Sequence, residues 1–508
     1  MSETKNTKHK DSFIVLLLVL LCLIFRLLNF VGIGINDDIA YIQNARLLAS
    51  GYSPISSGFN QLGFRLGMVV PLAILYKIFG LNDIAFSLYP LICSLITCAL
   101  IYYTALRLWG KRAAVFASLL WIVYPLQIVF DTQLSPSNQQ ATFVMAAMFL
   151  YYLSITGKTP STSDLSPSPG RREPALLVLS GVCIGLGWWF NEIFVTFIIV
   201  ALPFILIVRP KFKHLLWITA GFLLVFSLEL LIVKISAGSW LARFNCILET
   251  ESIVESNESK EYLKRTLFKV FHLNLYNEEG HFGILWYLFA VATILALYFK
   301  KKVALALALG CWLWLAYLQW GFQSFDLDPI TKYIRYISMI VPLQCMVFGA
   351  IFSHLCALSK NKKFITMFVF ALLFIHLLWL GTIAASIVKV HTDDFKEIAQ
   401  YLLTLNLKED DIVYADDLTA NFVEIYSKGN LKIQRTNHFK QQYPPTKGVF
   451  IDDGSWYFVR LPDYRKTTPK WCQSPPLVYW PLIHTVHGKN IGVYANFDPK
   501  IYWILPKH

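Results

Sequence analysis

Apolar runs separated by short polar stretches fill the chain from residue 13 to residue 388. A helix needs about 20 mostly apolar residues to cross a ~30 Å hydrocarbon core. Runs of that order lie near 13–33, 84–106, 113–130, 139–156, 175–190, 193–208, 215–235, 282–299, 303–320, 336–358 and 364–388, which predicts eleven crossings. The short stretch "MVVPLAILYKIFG" (68–80) is left out of the count. It holds Pro71 and runs into Asn82 and Asp83. If it crossed, every later basic loop would fall on the outer side, so it is expected to lie in the interface or re-enter.

Beyond about His391 the period changes. "DDFKEIAQYLLTLN" and "LTANFVEIYSKGN", the latter ending at Gly429, read as amphipathic helices. "DIVYADD", "LKIQR" and "KGVFID" read as strands. Residues 389–508 are thus expected to form a small α/β domain outside the membrane, and 1–388 the membrane domain.

Composition fits this pattern. Hydrophobic residues make up 56% of 508 and charged residues only 15%, against about a quarter in soluble domains. Mean hydropathy is +0.51. The formal net charge of +13 does not call for nucleic acid, because Lys and Arg gather in short loops: Arg107, Lys111 and Arg112; Lys158, Arg171 and Arg172; Arg209, Lys211 and Lys213; Lys300 to Lys302; Lys360, Lys362 and Lys363. That bias marks cytoplasmic loops. The basic N-terminus followed by a long uncleaved apolar run reads as a signal anchor with its N-terminus in the cytoplasm.

The same count puts residues 34–83, 131–138, Asn191 with Glu192, 236–281, 321–335 and everything after 389 outside. The Ser/Pro-rich "GKTPSTSDLSPSPGRREP" is expected as a cytoplasmic linker. Most of the nine cysteines lie in apolar runs, with spacings that fit no zinc site. Cys246 and Cys472 both fall outside, where a disulfide between them is conceivable.

Two adjacent acids, Asp37 and Asp38, stand just beyond the first span, in "GIGINDDIAYIQNARLLASGY". A carboxylate at a bilayer edge, in a loop folded back on the membrane, suits a general base. Paired acids also suit a hard cation, and either acid could simply solvate the helix end. Glu229 lies inside the seventh span, where an unpaired carboxylate is costly; Lys234 or Arg243 could pair with it.

The order of these segments resembles a known family. The acid pair with Tyr41, "ARLLASGY", "PLAILYKIFG", "LWGKRAAVFASLLWIVYP", "GLGWWFNEIF", "LELLIVKISAGSWLARF" and "KYIRYISMIVPLQ" are similar to GT-C glycosyltransferases that use polyprenyl-phosphate sugars. The likeness is to the protein O-mannosyltransferase branch, including lipid A aminoarabinose transferases, and covers most of residues 13–358. It implies a polytopic α-helical GT-C protein with a transmembrane catalytic domain and an inverting transfer to a lipid, glycan or protein acceptor on the outer face. A bacterial inner membrane is the expected location.

The resemblance implies roles for particular residues. Asp37 would be the base or orient the acceptor, with Asp38 beside it and Tyr41 as the tyrosine that follows. Arg65 would bind the donor phosphate, with Arg335 and Tyr336 near the outer end of a late span. Glu192 takes the place of an acid in the turn after the fifth span, where Asn191 replaces a lysine usual in relatives. Relatives also carry a second acid after the third span. Here Ser137 stands at that point and Asp131 lies six residues earlier, so the second carboxylate is Asp131 or comes from elsewhere. His281 could assist. The expected partners are a polyprenyl-phosphate-linked sugar, its acceptor and membrane lipids, with no nucleic acid. No cofactor is certain, and a divalent metal on Asp37 and Asp38 stays open. The competing readings are a transporter or lipid flippase, for which Glu229 is the main candidate charge, and a noncatalytic scaffold of the same fold.

Overall fold

The computed structural model describes residues 2–34, 37–55, 61–156, 169–255, 283–320, 334–358, 360–408, 411–415, 417–435, 448–452, 482–485 and 500–504. Of the membrane part, α1 is Ser2–Leu28, α2 Asp38–Ala49, α3 Leu66–Phe79, α4 Asp83–Trp109, α5 Lys111–Val123, α6 Pro125–Phe130 and α7 Pro136–Thr156. Then come α8 Pro169–Trp188, α9 Ile198–Val208, α10 Phe212–Ala237, α11 Ala242–Glu255, α12 Gly283–Tyr298, α13 Lys302–Trp320, α14 Val341–Leu358 and α15 Lys360–Thr404.

By length and composition, five helical stretches among the described residues can cross a membrane: Asp11–Leu28, Asp83–Trp109, Phe212–Ala237, Tyr336–Leu358 and Asn361–Ser386. This is a multi-pass helical membrane protein. Other expected spans are shorter as helices because the backbone breaks within them. The 113–130 run stops at Val123, since Pro125 has no N–H to give the carbonyl one turn back. The 193–208 run opens as a 3-10 turn, Glu192–Phe197, before α9. The 68–80 stretch is the 14-residue α3, about 21 Å long and too short to span. Part of the outer stretch 236–281 is helical, as α11.

The proline break creates a need that a buried charge meets. Arg26, near the outer end of α1, donates from Nη1 to the carbonyl of Ile122 at 2.6 Å and from Nη2 to that of Trp121 at 3.1 Å. Its Nε lies 2.5 Å from an Asp131 carboxylate oxygen, both side chains being fully buried. Ser94 and Asn138 also donate to that carboxylate. An intramembrane arginine is tolerated only when so paired. Removing one partner strands the other charge, so Arg26→Leu should destabilise the protein by about 3–5 kcal/mol. Thermal unfolding in detergent should report this, and Asp131→Asn should do the same. An unchanged midpoint in both variants would refute the lock.

Helices α8 and α10 approach until their backbones touch. A Cβ on Gly181 would sit 1.9 Å from the Ile218 carbonyl oxygen, and one on Gly221 2.0 Å from that of Val178. Gly181 and Gly185 are one turn apart on α8, the small-residue spacing that lets membrane helices pack closely. At the outer end of α10, Gly238 takes the left-handed conformation (φ +73°) and the chain turns back into α11.

α15 is one continuous helix of 45 residues, roughly 68 Å long. The boundary expected at 388/389 therefore falls in mid-helix, and the expected amphipathic helix "DDFKEIAQYLLTLN" is, up to Thr404, the last quarter of it. Beyond it lie β1 Val413–Ala415, α16 Asp417–Tyr426, β2 Ile433–Arg435, β3 Gly448–Asp452, β4 Leu482–Thr485 and β5 Lys500–Ile504. The strands form one sheet in the order β2-β1-β3-β5-β4. β1 pairs in parallel with β2 and β3, and β5 runs antiparallel to β3 and β4. Ile39, Ile42 and Ala45 of α2 share one core with Met68 and Leu72 of α3, Phe395, Ile398 and Leu402 of α15, and Phe422 and Val423 of α16. Gln43 bonds Asn421 and Arg46 bonds Glu424, each at 2.8 Å. The α2 segment is thus clamped between the bundle and the sheet unit.

Candidate functional site

That clamp fixes the start of α2, where the two acids separate in role. Asp38 is buried, and its Oδ2 accepts from the backbone N–H of Gly34 at 2.8 Å and of Leu134 at 3.1 Å. It stitches the first outer loop to the 131–138 turn. Asp37 occupies the N-cap position of α2 but makes no side-chain bond to the helix, and it is half-buried.

One turn along α2, Tyr41 is fully buried and its hydroxyl accepts from Arg65 Nη1 at 2.6 Å. Arg65 sits at the N-cap of α3, 5% exposed, and its Nη2 lies 3.0 Å from Glu192 Oε2. The other Glu192 oxygen is 3.2 Å from Arg243 Nη2. Burial raises the pKa of Glu192, but Arg65 and Arg243 outweigh it and hold the carboxyl at about 2. Arg243 lies over the Trp188 ring at 4.3 Å and also pairs with Glu229, which accepts from Trp188 as well. Tyr336, itself buried, is near enough for its phenol oxygen to favour the charged form of Arg65.

The contacts close into a ring. Gln140, at the start of α7, donates to the carbonyls of Gly187 at 3.1 Å and Asn191 at 3.2 Å, beside Glu192. The α7 start follows the turn whose Leu134 N–H meets Asp38. Within it, Oγ of Ser135 and Ser137 and both polar ends of Gln139 are buried with no hydrogen-bond partner among the described residues. The Nε atoms of Arg65 and Arg243 are in the same condition. Each such group costs about 1–3 kcal/mol, so their clustering calls for a ligand or water.

Comparison with solved structures places this architecture. ArnT from Cupriavidus metallidurans bound to undecaprenyl phosphate superposes with a TM-score of 0.57 at 12% identity, over 96% of this chain and 97% of that one. Its apo state gives the same TM-score and identity over 97% and 98%. The Archaeoglobus fulgidus oligosaccharyltransferase tethered to an acceptor peptide containing the NVT sequon gives 0.53 at 13% identity, over 94% and 73%. Residues 70–233 match the family model described as dolichyl-phosphate-mannose-protein mannosyltransferase. No curated protein sequence matches this chain significantly. The chain has the GT-C glycosyltransferase fold.

Within this GT-C chain the residues singled out by sequence are sorted by position. Asp38, Tyr41, Arg65, Glu192 and Tyr336 belong to the ring, and Asp37 precedes Asp38 at the start of α2. Asp131 does not open onto it as a free second acid, because Arg26, Ser94 and Asn138 enclose its carboxylate. The backbone of Arg335 lies in a 3-10 turn, Ile334–Ile340. His281, Cys472, Asp416 and most of the Ser/Pro-rich linker lie outside the described residues. Glu229 takes Arg243 as its partner; Lys234 instead bonds the carbonyl of Gly238 at 2.7 Å.

Sequence reasoning gave Arg243 only as a partner for Glu229 and missed its second contact with Glu192. It also passed over Arg26, although an arginine inside an apolar run is itself a signal. Among the described residues no three His, Cys, Asp or Glu side chains converge as a metal site. Asp38 already spends an oxygen on two backbone N–H groups.

Proposed function

We propose that this GT-C chain is an inverting glycosyltransferase that moves a sugar from a polyprenyl-phosphate donor to an acceptor hydroxyl at the outer face. The buried arginine pair joined through Glu192, with Arg65 also on Tyr41 one turn along α2 from Asp37, carries this reading. Two guanidinium groups meet there with an unspent Nε each, at the end of a short helix too short to cross the membrane. Arg65, with Arg243 behind Glu192, would hold the donor phosphate, and Arg335 is a further candidate. An arginine can bind phosphate through two parallel bonds and stabilise charge as it develops on the leaving oxygen.

Asp37 accepts the acceptor proton as the acceptor oxygen attacks the anomeric carbon. The bond from that carbon to the phosphate oxygen breaks, and its electron pair leaves with the phosphate. Asp38 and Tyr41 position the two ends of this arrangement. The neutral, unpartnered groups of Ser135, Ser137 and Gln139 offer donors and acceptors to sugar hydroxyls. The undecaprenyl phosphate in the ArnT structure and the acceptor peptide in the oligosaccharyltransferase structure support a lipid-linked donor and a separate acceptor. The eleven-crossing topology, a cytoplasmic N-terminus, a plasma-membrane location and a separate outer α/β domain from 389 to 508 go with this reading. The acceptor is a lipid, a glycan or a protein.

The test is release of polyprenyl phosphate from a panel of polyprenyl-phosphate sugars by the purified protein, with a membrane extract as acceptor. Release with one sugar supports the transferase and names its donor. Arg65→Ala should then slow release by about 10²–10³-fold, the usual cost of losing one preorganised donor to a developing oxyanion. No release with any donor, across extracts that hold lipids, glycans and proteins, overturns the proposal.

A further inference from the structure

We propose that Glu192 is a resident counter-anion that trades places with the lipid phosphate, and that its return expels the product. The inference rests on the glycosyltransferase reading above. Glu192 spans the two arginines at 3.0 and 3.2 Å, and its side chain is only 13% exposed. Glu229 takes the other side of Arg243. The four side chains carry two positive and two negative charges, so the cluster is neutral as it stands. A phosphate entering a neutral, desolvated cluster gains little unless one carboxylate gives way.

Glu229 is held by Trp188 as well as Arg243 and lies inside α10, 2% exposed. Glu192 begins a 3-10 turn, a weaker element than an α-helix, and is the more exposed of the two. It is the carboxylate able to move. Paired with both arginines, Glu192 is held in its anionic form.

The charge of the leaving lipid explains why such a competitor is useful. The donor is a phosphodiester with a single negative charge. The released polyprenyl phosphate is a monoester with about −1.5 to −2 at pH 7. A bare arginine pair would therefore hold product more tightly than substrate and stall after one turnover. Glu192 offsets that preference by offering the same donors a second anion, attached to the chain and always present.

The experiment is a calorimetric titration of undecaprenyl phosphate into the full-length protein in detergent, with steady-state turnover on the donor found above. Glu192→Gln should tighten product binding by about tenfold or more. It should also lower kcat and KM together, with stronger inhibition by added undecaprenyl phosphate. Glu192→Asp, which keeps the charge, should restore kcat in large part. A folded Glu192→Gln that binds the lipid phosphate as weakly as the native protein, or more weakly, overturns the exchange and leaves Glu192 a fixed structural ion-pair partner. If Glu192→Gln does not fold, Glu192→Asp decides: native product affinity supports the exchange, and lost affinity overturns it. Binding by neither native protein nor variants would refute the glycosyltransferase reading itself, and this inference with it.

Discussion

Asp37→Asn is expected to lower sugar transfer by about 10²–10⁴-fold, the range that a positioned general base supplies, while leaving the fold intact. Position argues for both halves of this result. Asp37 makes no bond to the N-terminal N–H groups of α2, so removing its charge does not uncap the helix. The change is also isosteric. Asp38→Asn should behave differently, because Oδ2 of Asp38 ties Gly34 and Leu134 together. An amide nitrogen turned toward those N–H groups would repel them, and even a correctly turned oxygen is a weaker acceptor. That variant should lose thermal stability as well as activity. The measurement is polyprenyl phosphate release by each variant, alongside its unfolding midpoint. Equal activity in native protein and Asp37→Asn would remove Asp37 from the chemistry.

Gly221→Ala should destabilise the bundle by about 3 kcal/mol or more, the upper part of the range for overpacking a tight interior. The added methyl would stand 2.0 Å from a backbone oxygen of α8, which cannot rotate away as a side-chain end could. The helices must part, and in a bilayer no hydrophobic force draws them back, since lipid is as apolar as the side chains. The effect should reach the site. α8 ends at Trp188 and α10 carries Glu229, so separating them pulls apart the Trp188–Glu229 bond that steadies Arg243. Leu224→Ala, also on α10 but 65% exposed, is the control and should cost little. Thermal unfolding in detergent and residual transfer activity would check both. A native-like Gly221→Ala would mean that α8 and α10 do not cross as closely as described.

The sequence by itself determined the class of this protein, because membrane insertion depends on local properties. Twenty-residue apolar runs and clustered Lys and Arg act one segment at a time, whatever the rest of the chain does. The helix ending at Gly429 and the strands at 413–415, 433–435 and 448–452 were legible for the same reason: their period and their breakers lie within a few residues. The need of Glu229 for a cation could also be read, because the cost of a lone buried charge is independent of fold.

Only the tertiary structure decided which charges meet. Asp37 and Asp38 are neighbours in sequence, yet one faces inward onto the 131–138 turn and the other caps nothing. Glu192 looked like one acid in an outer turn, until α3 and α11, from either side of it in the chain, brought Arg65 and Arg243 to its two oxygens. Asp131 seemed a substitute for a missing catalytic acid, but a proline 6 residues earlier ends a helix, and Arg26 arrives to bond two carbonyls at that end together with the carboxylate. α15 runs straight through the point where composition changes, because a helix continues wherever its hydrogen bonds do, whether lipid or water surrounds it. Contacts between residues a hundred positions apart leave no periodic trace in the chain. They exist only once packing has fixed every intervening element.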